Sequence, residues 1–117
     1  MKRRFRVTRN EDFQEIIHNG KSVANRCFVV YYYKRMAVTN DRVGISVSKK
    51  IGNSVVRHRL KRQVRECFRT HWQQWKSGHD IIVIARKGSN EQQYQVISGS
   101  LLQLMKKHGL ERGLEKE

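Results

Sequence analysis

"SVSKKIGNSVVRHRLKRQVRECFR", Ser46–Arg69, sets eight lysines and arginines against one acid, Glu66. After Gly52, either Asn53 or Ser54 is a good helix N-cap. Val56, Leu60, Val64, Cys67, His71 and Trp75 then recur at helical spacing, with Phe68 beside them. The pattern predicts a helix from Ser54 to about Lys76 with one apolar stripe. At about 100° per residue, His58, Arg62, Arg65 and Arg69 fall opposite that stripe. Arg57 and Lys61 flank it on one side and Arg59 on the other.

A solvated helix face ordinarily mixes signs, because opposite charges three or four residues apart gain about 0.2–0.5 kcal/mol per pair. Here Arg57 faces Lys61 and Lys61 faces Arg65, so neighbours repel instead. Cations near the helix start also oppose the macrodipole. These small costs collect on one surface, and an external polyanion cancels them. The segment is read as phosphate-binding.

The elements around this helix are strands. "RCFVVYYY", Arg26–Tyr33, is β-branched and aromatic, with Phe28, Val30 and Tyr32 on one face and Cys27, Val29, Tyr31 and Tyr33 on the other. "RVGISVS", Arg42–Ser48, reads as a second strand. "DIIVIAR", Asp80–Arg86, is a nearly continuous apolar run and reads as a third, central one. Before them, Thr8 and Glu11 have capping-box spacing ahead of a short helix carrying Phe13, Ile16 and Ile17 and ending near Gly20. Tyr94, Ile97, Leu101, Leu104 and Met105 define a closing helix.

Across all 117 residues, 25 Lys and Arg oppose 10 Asp and Glu, giving a net charge of +15. That balance points to a nucleic acid. With no proline, repeat or low-complexity linker, residues 1–117 read as a single domain. No stretch approaches the roughly 18 apolar residues that span a bilayer, and no signal-peptide core follows the basic N-terminus, so the expectation is a cytoplasmic protein without a membrane partner. Cys27 and Cys67 read as reduced, packed thiols, and no zinc-type spacing is present.

Tyr31 and Tyr33 share a strand face, with Phe13 on a helix nearby in sequence. Aromatic rings beside cations suit single-stranded nucleic acid, where each stacked base gains about 1–3 kcal/mol. Packing in a core is the competing reading for Tyr31 and Phe13, and the preferred one for Phe28 and Tyr32. Asp12, Asp41 and Asp80 all fall at apparent element ends, no cluster of the carboxylates that a metal-dependent nuclease needs is visible, and His71 lies on the apolar stripe. The chain reads as a binder. A structural or ribosomal RNA-binding protein is the rival class, and a duplex-DNA binder lacks a dimerising segment.

"KKIGNSVVRHRLKRQVRE" closely resembles the basic signature of the bacterial ribonuclease P protein subunit family. "NEDFQEI", "GKSVANRCFVVYY", "RVGISVSKK", "DIIVIARK" and "SLLQLMKK" resemble it in the same order, nearly end to end. The resemblance implies a two-layer α+β sandwich: a small central sheet with about three helices and a left-handed strand-helix-strand crossover, against the usual rule. That is the fold of the second domain of a small-subunit ribosomal protein. It implies that a large RNA carries the active site and its Mg2+, and that the complex removes the 5′ leader of precursor tRNA. Lys49, Lys50, Asn53, Arg57, His58, Arg59, Lys61, Arg62, Arg65 and Arg69 would then face the catalytic RNA, while Phe13, Ile17, Tyr31 and Tyr33 would line the leader cleft. No catalytic or metal-ligating residue is implied in this chain. His58 replaces the usual Asn, Ser54 a usual Ala, and Ile17 takes a cleft position that an aromatic can fill in relatives.

Overall fold

β4, His79–Ala85, is buried along almost its whole length, as its "HDIIVIA" run requires. It lies between two strands in a sheet of order β1-β2-β4-β3. The computed structural model describes residues 6, 7, 9–34, 42–71 and 78–107. Within them, α1 (Asn10–Asn19), β1 (Lys21–Ala24), β2 (Phe28–Lys34), β3 (Arg42–Ser46), α2 (Ser54–Thr70), β4 and α3 (Tyr94–Lys107) follow in order. A short 3-10 turn, Lys87–Ser89, precedes α3.

The sheet is mixed. β1 pairs antiparallel with β2 and β2 with β4, while β3 runs parallel to β4 through the α2 crossover. Period-two alternation then gives each face its helices. Phe28, Val30, Val43, Ile81, Val83 and Ala85 meet Leu60, Val64, Cys67 and Phe68 of α2 and Ile97, Leu101, Leu104 and Met105 of α3. Across the other face, α1 lays Phe13 and Ile16 over Tyr31, Tyr33, Ile82 and Ile84. Phe28 and Phe68 are fully buried, and each contributes about 1.5–3 kcal/mol by leaving water.

Several sequence expectations change. β1 was not anticipated: it is a four-residue edge strand, mostly exposed, that exists by pairing with β2. The Asn25 side chain closes that hairpin, accepting from the N–H groups of Cys27 and Phe28 at 3.0 Å each. This bend ends the alternation before Cys27, which joins the Phe28 side of the sheet and not the Tyr31 side. The expected capping box falls partly outside the described residues. Thr8 lies outside the described residues, Arg9 is the N-cap without a side-chain cap, and the Glu11 carboxylate meets Arg9 Nε at 3.4 Å. That hydrogen bond holds the Glu11 carboxyl below its usual range.

α2 ends at Thr70, with His71 as C-cap; Trp75 and Lys76, expected in the helix, lie outside the described residues, as does Asp41. The three strands are each shifted or shortened by one or two residues at their ends. Gly20 closes α1 where a Cβ would lie 2.5 Å from the Tyr32 carbonyl oxygen, so only glycine allows helix and strand to approach so closely.

Gly99 differs from Gly20: it is exposed inside α3, and nothing lies within 4 Å of where its Cβ would be. Gly99→Ala is expected to stabilise the fold by about 0.5–1 kcal/mol, through helix propensity alone. Urea unfolding at unchanged m-value checks this, and a destabilised variant would contradict the open surface assigned to α3.

Candidate nucleic-acid interface

Asn53 caps α2, accepting from the Val56 N–H at 3.1 Å. Leu60, Val64, Cys67 and Phe68 then anchor the helix to the core, which fixes where its cations point. His58, Arg62 and Arg69 are exposed; Arg57, Arg59, Lys61 and Arg65 are half-buried along the flanks. In front of the helix, Lys49 and Lys50 are exposed on a turn held by the buried Ile51, whose N–H donates to the Ser48 carbonyl at 3.1 Å. No acid stands in the first turn of α2. Lys49, Lys50, Arg57, Lys61 and Arg62 thus follow one another along the turn and the first nine residues of α2.

Two expected contacts have local commitments, and a third is partly buried. Arg57 Nε donates to the Gly52 carbonyl at 3.3 Å, which keeps its guanidinium near the helix start. Arg69 is paired with Glu66 through Nε at 3.0 Å and Nη2 at 2.5 Å, three residues along the same helix. The pair holds the Glu66 carboxyl below its usual range. Arg59 has Nε and Nη2 buried without hydrogen-bond partners, one turn before Gln63, which donates to the Gln92 carbonyl. His71 is a packed cap: its Nδ1 lies 2.9 Å from the Cys67 carbonyl. Burial pushes the Cys67 thiol up, which keeps it protonated and inert.

On the α1 side, Phe13, Ile17, Tyr31 and Tyr33 are all half-buried. Phe13 lines a hollow of about 240 Å³ at the outer edge of β3, together with Arg6, Val7, Val43, Gly44, Ile45 and Arg65. The chain's start builds one wall of it, as Arg6 bridges Val43 and the Val7 N–H donates to the Val43 carbonyl at 3.0 Å. A cation from α2 and an aromatic ring from α1 thus meet across the sheet edge. Tyr31 lies two strands away on β2, opposite Ile82 of the intervening β4. Tyr33 lines a separate hollow of about 380 Å³ with Asn19, Gly20, Lys21, Tyr32, Lys34 and His79, where Tyr32 and His79 have ring centroids 5.5 Å apart.

Sequence reading missed Arg6, Lys21 and Lys34 at these hollows. It placed Asp12 and Asp80 at element ends and did not foresee that both carboxylates meet Arg42. Among the described residues, no three histidines, cysteines or acids group as a metal site, and no helix is long and apolar enough to cross a membrane.

A cationic helix on one face of the sheet and aromatic rings on the other suit an RNA-binding protein, and the Asp12 and Asp80 carboxylates are engaged with Arg42. The sequence profile of the ribonuclease P family matches residues 1–109, and the chain belongs to that family. The ribonuclease P protein component of Bacillus cereus strain Q1 is 43% identical over 112 residues, covering 96% of this chain and 97% of that protein. The Staphylococcus aureus RNase P protein superposes with a TM-score of 0.86 at 42% identity, covering 91% of this chain and 96% of that one. For the Thermotoga maritima protein the TM-score is 0.80 at 36% identity, covering 87% and 96%. The α+β class, a mixed four-stranded sheet with three helices, agrees with these structures. The chain is thus a protein component of ribonuclease P, an endoribonuclease whose catalytic role lies in its RNA. The rival assignment to structural or ribosomal RNA binding is not favoured.

Proposed function

We propose that this chain, acting as a single RNA-binding domain over residues 1–117, binds two RNAs at once: the catalytic RNA of ribonuclease P and the 5′ leader of precursor tRNA. The observation that carries this reading is the β3 edge, where Arg65 of α2 and Phe13 of α1 line one hollow. Lys49, Lys50, Asn53, Arg57, His58, Arg59, Lys61, Arg62, Arg65 and Arg69 are assigned to the catalytic RNA, with Arg69 the weakest because Glu66 already offsets its charge. Phe13, Ile17, Tyr31 and Tyr33 are assigned to the leader.

The chemistry is hydrolysis of one phosphodiester by the RNA and its Mg2+, releasing the mature 5′ end. The protein contributes charge and shape. Two packed RNAs repel each other, and a chain of net charge +15 between them offsets part of that repulsion, so less Mg2+ is needed for productive binding. Aromatic stacking adds affinity without strict sequence demands, which suits leaders of varied sequence. Both partners lie in the cytoplasm, and neither DNA nor a membrane takes part.

Tyr31→Ala tests the leader half. Losing one stacked base is expected to weaken binding of precursor tRNA by about fivefold to a hundredfold while leaving mature tRNA unaffected. Equal effects on the two substrates would remove Tyr31 from the leader site.

A further inference from the structure

Ten acids face 25 cations in this chain, yet two of them converge on one guanidinium. Arg42, at the start of β3, donates through Nε and Nη2 to the two oxygens of Asp80, at 2.9 and 2.7 Å. Asp80 lies opposite Arg42 in the parallel register and is 3% exposed. Arg42 Nη1 lies 3.5 Å from an Asp12 carboxylate oxygen in the first turn of α1. A bidentate fork on a buried carboxylate has a fixed direction, so Nη1 offers α1 one anchoring point where a surface pair would swing.

The residue after Asp12 is Phe13. A Cβ on Gly44, two residues beyond Arg42 on the same strand face, would lie 2.7 Å from Phe13 Cζ. The α1 turn is therefore keyed to β3 twice: by charge at Asp12, and by the missing side chain under the Phe13 ring.

We propose that Arg42 is a positioning residue for the leader cleft, relaying the buried Asp80 carboxylate to Asp12 and so holding the first turn of α1 with the Phe13 ring seated over Gly44. This rests on the reading of Phe13 as a leader contact. Arg42 itself is no phosphate contact, because two carboxylates outweigh its charge; the phosphates fall to the cations of α2.

The test uses the reconstituted holoenzyme with Asp12→Asn, Asp12→Glu or Phe13→Ala, reading affinity for precursor and mature tRNA and the melting temperature of the protein. Asp12→Asn removes the α1 anchor and leaves the Arg42–Asp80 fork in place. It is expected to lower the preference for precursor over mature tRNA by about fivefold, the scale of one partly buried ion pair, with mature tRNA binding unchanged. Phe13→Ala lowers the preference at least as far, and Asp12→Glu, which keeps the charge, restores most of it. Leu102→Ala, on α3 across the sheet, is the control for stability: it lowers the melting temperature and leaves the preference unchanged. A preference unmoved in Asp12→Asn but lowered in Phe13→Ala overturns the positioning role. A preference unmoved in Phe13→Ala overturns the leader reading beneath it. A preference that simply follows melting temperature, Leu102→Ala included, makes the triad structural and overturns the proposal.

Discussion

Raising the salt from about 50 to about 200 mM lowers the affinity of this chain for the catalytic RNA on the order of a thousandfold. The size follows from the cations on α2 and on the turn before it. Lys49, Lys50, Arg57, Lys61, Arg62 and Arg65 stand on the turn before α2 and on its outer flanks. Each phosphate neutralised releases condensed counterions, so about six contacts give a log-log salt slope near −5. Lys61→Ala with Arg62→Ala removes two contacts, and the slope is expected to flatten by about two while the fold is unaffected. Arg69→Ala changes the slope least, since it frees Glu66 to oppose the RNA only at the far end of the helix. Filter binding across a salt series measures all three. A slope unchanged in the Lys61/Arg62 double variant would mean that another face meets the RNA.

Asp80→Ala destabilises the fold by about 2–3 kcal/mol, which for a domain of this size lowers the melting temperature by roughly 10 °C. Removing one partner of a buried ion pair leaves an uncompensated charge, at a usual cost of about 3–5 kcal/mol. Arg42 is 24% exposed at its side chain, and partial hydration brings the figure down. Asp12→Ala, at the same guanidinium but 24% exposed and held by a single 3.5 Å contact, costs under about 1 kcal/mol. Chemical denaturation separates the two. Equal losses would mean that the fork on Asp80 is not the fixed element of the triad.

Local signals explain what the sequence reveals. A helix face is set by residues three and four apart, so the cationic surface of α2 follows from spacing, and Asn53 marks its start through one side-chain oxygen. The continuous apolar run of β4 requires cover on both faces, hence a central strand. β1 has no such signal: "KSVA" is short and mostly solvated, and its pairing depends on the Asn25 turn and on β2. The Arg42 triad joins residues 30 and 38 positions apart, so only the assembled sheet reveals it. The meeting of Arg65 with Phe13 likewise depends on β3 being an edge strand. Glu66 and Arg69 are only three residues apart, yet the sequence reading gave Arg69 to the cationic face and left it unpaired.

The most direct measurement is cleavage of precursor tRNA at low Mg2+ by the chain alone, by a bacterial ribonuclease P RNA alone, and by the two together. An RNA-borne active site assisted by this chain requires that only the mixture cut at the mature 5′ end. Cutting by the chain alone, or no gain on mixing, would contradict it.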